Sequence, residues 1–365
     1  MLMRILSFLL LLFFSSTMKL GAQPKTAAAA VDRFVRRQVD SLSITGLAVA
    51  VVKDGRILLQ KTYGMASLEW RQPVTEHTNF QIASCSKLLS STAVMRSLSM
   101  GKLRLTDPVS IYLDSLPAAW KDIQVQHLLN HSSGIPFFNG DHYLTGQQVL
   151  LALSDSALQF APGARQSYMS GDGVLLRLVL EKAWGKPYDE LLRELVTAPA
   201  GMTDGGYDKE WRVGSFLRTE VLPRKATTYY RNGAVAYKFL YGQYMYTAGG
   251  YFASLSDMAR WAVALDKEVF FPRRQESFAY ECAANTKDGC FSNVGWGVEQ
   301  EGGLTFAGHS GGPGLADVLR FPSKGYTFIV LSNDGELLPG MARSIAGFYI
   351  SELSPKLAAA KFQRP

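Results

Sequence analysis

Cysteine is scarce, long runs of one charge are missing, and no apolar stretch beyond the N-terminus is long enough to cross a bilayer. Each absence removes a class of protein. Three cysteines in 365 residues cannot build the disulfide scaffold of a small secreted domain. Basic residues outnumber acidic ones by 38 to 31, for a formal charge of +7, yet they form no block or stripe. Nucleic-acid binding therefore has no support. No repeat of the kind that builds solenoids recurs along the chain. No Gly-rich phosphate loop joins a strand to a helix, so no nucleotide cofactor is expected. His127 and His131 have the i,i+4 spacing of a zinc-binding helix, but Leu128 follows His127 where a glutamate would be needed, and a Ser-Ser-Gly turn begins at once. They read as structural, hydrogen-bonded histidines, and no metal site is expected.

The first residues carry a different signal. Arg4 precedes the apolar run Ile5 to Phe14, and small and polar residues follow as far as Ala22. This pattern predicts a secretory signal peptide over residues 1–22, too short to span a membrane. No cysteine stands near the cut, so no lipid anchor is expected. Cleavage removes Arg4 and Lys19 and lowers the charge from +7 to +5. The product would be exported, periplasmic or secreted, with no transmembrane anchor. With 47% hydrophobic residues, residues 23–365 can bury a large core, as one large domain or two lobes.

"VDRFVRRQVDSL" is amphipathic and predicts a helix. "TGLAVAVVKDG" followed by "RILLQKTYG" predicts a β-hairpin turning at Asp54-Gly55. Residues 85–265 alternate helical stretches with Gly/Pro/Asn-rich loops. Strand patterns return in "NVGWGVEQ", "LTFAGHSG", "ADVLRFP" and "YTFIVLSND", before a helical "GMARSIAGFYISEL". The expected fold is α/β of the α+β kind: one antiparallel sheet built from both chain ends, flanked by helices, with a mostly helical lobe inserted at roughly 85–265. Cys282 and Cys290 flank the turn-rich "AANTKDG", and export would permit a bridge between them.

Within "NFQIASCSKLLSSTAVMRSLSMGKL", Ser84 and Lys87 lie three residues apart on one helix face. At a helix start the serine sits near unpaired backbone N–H groups and the positive end of the dipole. A hydroxyl, a nearby amine and oxyanion donors are the minimum for acyl transfer through a serine ester. Ser-x-x-Lys also occurs at Ser16/Lys19, in the leader, and at Ser99/Lys102, where Gly101 marks a helix end. Cys85, beside the serine, reads as a small packing residue.

From about Gly46 to the C-terminal helix the chain resembles the serine β-lactamase and penicillin-binding-protein superfamily. The resemblance is to its branch of class C β-lactamases, D-alanyl-D-alanine carboxypeptidases, D-amino-acid amidases and related esterases. It runs through ordered blocks: "FQIASCSK", "LRLTDPVSIYL", "VQHLLNHSSGIP", "FAPGARQSYMSGDGVLLRLVLEKAWGKPYDELLRELVTAPAGM", "AGGYFASLSDMARWAVAL" and "GHSGGPG". The resemblance implies a fold of the β-lactamase/transpeptidase type and an acyl-enzyme on Ser84. Lys87 and Tyr168 would move its proton as a pair. His309-Ser310-Gly311 would be the third motif, with His309 a cation titrating near neutrality that binds a substrate carboxylate or protonates the leaving group. Gly311 would let substrate lie along the strand, and the N–H groups of Ser84 and Gly312 would form the oxyanion hole.

The second motif departs from the family pattern. It usually ends in asparagine; here Tyr168-Met169-Ser170 ends in serine, which would offer one hydroxyl to substrate in place of an amide. Tyr230-Arg231-Asn232 is a rival triplet that lacks the flanking blocks. The aromatic stretch "TTYYRNGAVAYKFLYGQYMYTAGGYF" would either line a cleft or pack the lobe. The expected activity is hydrolysis of ester or amide bonds in a small-molecule or peptide substrate, such as D-alanyl peptides from the cell wall or small esters. The competing readings are a catalytically silent binding or sensor domain and a weak β-lactamase.

Overall fold

The computed structural model describes residues 23–114, 116–138, 144–232, 235–238, 248–283, 290–312, 315–335 and 340–353. The leader at 1–22 and part of the aromatic stretch, 239–247, lie outside them. Helix α1 (Gln23–Leu42) leads into the hairpin β1 (Gly46–Lys53) and β2 (Arg56–Ser67), and short β3 (Gln72–Pro73) adds to its edge. Strand β4 (Phe80–Gln81) and a 3₁₀ turn (Ala83–Cys85) precede α2 (Ser86–Ser99). The inserted segment carries α3 (Val125–Leu129), α4 (Gly146–Ser154), α5 (Ser170–Trp184), α6 (Tyr188–Leu192) and α7 (Ala198–Ala200). Two hairpins follow, β5 (Glu210–Val213) with β6 (Phe216–Thr219) and β7 (Tyr229–Asn232) with β8 (Val235–Lys238). Strand β9 (Phe252–Ala253) pairs with β4, and α8 (Leu255–Asp266) and α9 (Arg273–Glu276) come next. The chain then returns to the sheet with β10 (Cys290–Phe291), β11 (Gly297–Glu301), β12 (Leu304–Gly311), β13 (Ala316–Phe321) and β14 (Tyr326–Ser332), and α10 (Met341–Ala346) follows.

The large sheet runs β10-β11-β12-β13-β14-β1-β2-β3, with antiparallel pairing throughout. Both chain ends meet where β1 pairs with β14, Leu47 opposite Ser332 through Lys53 opposite Tyr326. Residues Leu47 to Val52 of β1 are fully buried, because helices cover both faces. Leu47, Val49 and Val51 pack with Val31 and Val35 of α1 and Ile345 of α10. Ala48, Ala50 and Val52 face the other way, into the core that holds Leu88 and Leu89 of α2 and Trp261 of α8. Each of the larger side chains contributes about 1.5–3 kcal/mol through the apolar surface it removes from water. The hairpin turn is closed by Asp54 and Gly55, at φ +47° and +71°. Those angles suit the right-handed twist of the strands it joins.

Two expectations change. The C-terminal helix is confined to Met341–Ala346. Phe348 and Tyr349 then donate N–H bonds to Ile345 and Ala346, three residues back, and their rings turn onto Phe34 and Tyr326. Aromatic packing against the sheet layer outweighs continuation of the helix. The inserted segment is also less purely helical than its pattern suggests: it contains the two hairpins, and α8 at its end packs on β1 and β14.

Candidate active site

The nucleophile candidate is held by strain and close packing. Ala83 sits at φ +44°, a left-handed backbone that a non-glycine residue adopts at a cost of about 1–2 kcal/mol. Ser84 follows it in the 3₁₀ turn, so α2 begins two residues later than a helix opened by the serine would. The Cys85 N–H donates to the Ile82 carbonyl (3.0 Å), and the Cys85 thiol donates to the His309 carbonyl (2.8 Å). Burial pushes that thiol well above its ordinary range. Cys85 is therefore a protonated clamp between the nucleophile turn and β12. The turn also explains Gly311: a Cβ there would collide with the Ile82 carbonyl and lie 3.1 Å from the Ala83 Cβ. Glycine is needed for β12 to approach the nucleophile turn, a different reason from room for substrate. Gly312 follows in the turn after β12, which the Leu315 N–H closes onto the Gly311 carbonyl (2.8 Å).

Lys87, on the first turn of α2, donates to the Tyr168 hydroxyl (2.7 Å), the Ala248 carbonyl (2.8 Å) and Ser84 Oγ (3.4 Å). The Tyr168 hydroxyl in turn donates to Ser84 Oγ (2.7 Å). Tyr168 thus joins Ser84 and Lys87, more than 80 residues earlier in the sequence, in one hydrogen-bonded network. Tyr168, and not Tyr230, occupies it; Tyr230 lies on β7 and is half exposed. Ser170 opens α5, where its buried hydroxyl has no protein partner among the described residues. The lysine is oriented by the Ala248 carbonyl, a main-chain group that no residue pattern would reveal.

The third motif behaves differently from its sequence reading. His309 Nδ1–H donates to the Ser310 carbonyl (2.7 Å), which leaves Nε2 as the acceptor. Burial, reinforced by the Lys87 cation, pulls the imidazole down to about 3. His309 is thus neutral near neutrality and supplies no cation to bind a substrate carboxylate. Ser310 also changes role: its hydroxyl donates to Asp317 Oδ1 on β13 (2.9 Å), while Asp317 Oδ2 accepts N–H bonds from Gly340 and Ala342 (both 2.9 Å). Its side chain braces the start of α10 through Asp317 and does not reach toward Ser84.

Around Tyr168 the structure gathers His309 and Lys87 together with two side chains that sequence reasoning did not assign to the site, His131 and Phe291. The His131 ring lies 4.5 Å from the Tyr168 ring, Phe291 stacks on it at 5.7 Å, His309 is 5.9 Å away, and Lys87 Nζ sits 4.8 Å from the ring centre. Phe291 is gripped from both sides. Its N–H and carbonyl bond the Gln166 side-chain amide (3.0 and 2.8 Å), and its neighbour Cys290 is disulfide-bonded to Cys282. His131 is buried against Asp172, Nδ1 to Oδ2 2.8 Å. Burial raises the Asp172 carboxyl well above its usual range and lowers His131 to about 3, with Lys87 adding to the latter. Burial thus opposes charge on both partners of the Nδ1–Oδ2 hydrogen bond. His131 is hydrogen-bonded, as its sequence context suggests, but it lies at the site.

A sheet built from both termini, an inserted helical segment and a serine linked to lysine and tyrosine at their junction define a serine hydrolase of the penicillin-recognising fold. The beta-lactamase family model matches residues 31–346, and the chain belongs to that family. It is 30% identical over 310 residues to a D-aminopeptidase of Brucella anthropi, covering 79% of this chain and 55% of that protein. It is 29% identical over 202 residues to esterase EstB of Burkholderia gladioli, covering 49% of this chain and 51% of that protein. The matches thus span about half the length of these two relatives. The solved structure of EstCE1, described as a hydrolase with promiscuous acyltransferase activity, superposes with a TM-score of 0.72 at 19% identity, over 86% of this chain and 94% of that one. That likeness bears on the fold.

Proposed function

We propose that this protein is an exported serine hydrolase that cleaves small esters or amides through an acyl-enzyme on Ser84. The observation that carries the reading is the network from Lys87 through the Tyr168 hydroxyl to Ser84 Oγ, 2.7 Å at each step. Ser84 Oγ attacks the substrate carbonyl carbon as its proton moves to the Tyr168 oxygen and the tyrosine's own proton moves on to the unprotonated Lys87 amine, which reverses the resting hydrogen-bond directions along the same two contacts. The tetrahedral oxyanion is held by the N–H groups of Ser84 and Gly312, each worth about 3 kcal/mol of barrier. As the scissile bond breaks, the pair returns the proton to the leaving oxygen or nitrogen. Water then attacks the ester by the same route in reverse and frees Ser84.

Substrate choice follows from the two altered motifs. A neutral His309 with an acceptor nitrogen gives no ion pair to a C-terminal carboxylate, and Ser170 supplies a hydroxyl in place of an amide. Both features favour uncharged esters and amides over D-alanyl peptides that end in a carboxylate, and over penicillins. No helix among the described residues is long and apolar enough to cross a membrane. Intact-protein mass spectrometry after incubation with a fluorophosphonate tests the nucleophile, comparing wild type with Ser84→Ala. A single adduct lost in Ser84→Ala is expected. An unlabelled wild type, folded by circular dichroism, would sink the reading. A penicillin adduct that persists without hydrolysis would replace it with an acyl-binding sensor.

A further inference from the structure

We propose that His131 is a positioning residue for the reaction, acting through Tyr168; the inference rests on the Ser84 acyl-enzyme reading above. His131 adopts a left-handed backbone at φ +58°, a conformation that costs a β-carbon-bearing residue energy and persists only when its surroundings demand it. What it makes possible is visible on both sides of Tyr168. The His131 carbonyl accepts the Ser167 N–H at 2.7 Å, and Nδ1 faces the Met169 N–H at 3.5 Å, the long limit for such a bond. Between these two anchors the imidazole lies 4.5 Å from the Tyr168 ring. One residue thus holds the chain before the tyrosine, the chain after it and the ring itself.

The anchor is itself anchored. Asp172, in the first turn of α5, bonds Nδ1 at 2.8 Å and takes a further hydrogen bond from the Ser133 hydroxyl. His131 and Ser133 come from the turn after α3, while Tyr168 and Asp172 come from the entry to α5. The His131–Asp172 bond therefore ties together the two segments whose relative position sets where the tyrosine hydroxyl falls. A ring present only to fill space would bury no unpaired nitrogen, yet His131 Nε2 is buried without a protein partner among the described residues. The histidine is kept for what Nδ1 and its backbone hold. A displacement of the Tyr168 oxygen by about 1 Å would disrupt both 2.7 Å contacts and cost on the order of 100-fold in rate.

The experiment is a double-mutant cycle on a short-chain nitrophenyl ester, with fluorophosphonate labelling of Ser84 in parallel. His131→Phe keeps a ring and loses Nδ1; Asp172→Asn keeps a group able to bond Nδ1. Each is made alone and with Tyr168→Phe. The expected result for His131→Phe is a fall in kcat of about 100-fold with KM within about threefold. Asp172→Asn is expected to lose about tenfold or less, and neither change should lower kcat further once Tyr168 is phenylalanine. Losses that add in full to that of Tyr168→Phe, or that fall on KM alone, would overturn the inference while leaving the acyl-enzyme intact. If His131→Phe does not fold, the cycle with Asp172→Asn decides by the same criterion. Absence of Ser84 labelling in the wild type would overturn both readings together.

Discussion

Replacing Tyr168 by phenylalanine removes one oxygen, the atom that accepts from Lys87 and donates to Ser84 at 2.7 Å each. The ring is 44% exposed and packed by His131 and Phe291, so the substitution leaves the packing in place. Water can satisfy the groups left behind, and stability should change by about 1 kcal/mol or less. The effect on rate should be far larger. Lys87 remains 3.4 Å from Ser84 Oγ, longer than a good hydrogen bond, so direct transfer to the amine is poorly aligned. Loss of a positioned proton acceptor typically costs 10²–10⁴-fold, and about 10³-fold is expected here, close to 4 kcal/mol of barrier. The assay is the second-order rate of fluorophosphonate labelling at Ser84, which needs no knowledge of the natural substrate, with nitrophenyl ester turnover alongside. Lys87→Met should fall at least as far, since it removes the donor that holds the tyrosine oxygen. The reasoning fails if Tyr168→Phe labels within about threefold of wild type while Lys87→Met is dead. The lysine would then take the proton unaided.

Gly311→Ala should cost about 1–3 kcal/mol by forcing β12 away from the Ile82 carbonyl, and should slow labelling of Ser84 more than it lowers the melting temperature suggests. Reduction of Cys282–Cys290, which closes a sequence separation of 8, should lower stability by about 2–3 kcal/mol on the chain-entropy account. It should also reduce kcat by loosening Phe291 against Tyr168, whereas an unchanged kcat would show that the Gln166 amide suffices. For His309 the sign follows from its depressed value of about 3 against an ordinary imidazole value of 6.5. Below pH 6.5 the unfolded chain gains a proton that the folded chain refuses, so stability falls as pH drops toward 3 and levels below it. The slope from this group is at most about 1.4 kcal/mol per pH unit. Urea titrations of wild type and His309→Gln between pH 7 and 4 should differ by that slope. Parallel curves would mean that His309 takes up its proton as readily in the fold as in the unfolded chain.

Local patterns in the chain were enough for the framework. Asp54-Gly55 marks its hairpin because two positive φ angles are needed there, and "LTFAGHSG" spans β12 residue for residue because alternation and flanking glycines bound it. Ser84, Lys87 and Tyr168 were legible as partners through their ordered blocks, although 81 residues separate the lysine from the tyrosine. The Cys282–Cys290 bridge was open in the sequence, since spacing alone does not show that two cysteines approach to 5.6 Å between α-carbons. What the tertiary structure alone decided are states that depend on burial and on contacts across the fold. His309 becomes neutral because strands and the Lys87 cation surround it, and Ser310 turns to Asp317 because β13 lies beside it. Lys87 takes its orientation from the carbonyl of Ala248, a group every residue possesses, and His131 meets Tyr168 through a backbone angle no motif encodes. Residue identity sets which groups a chain can offer, whereas desolvation and long-range packing set their charge and direction.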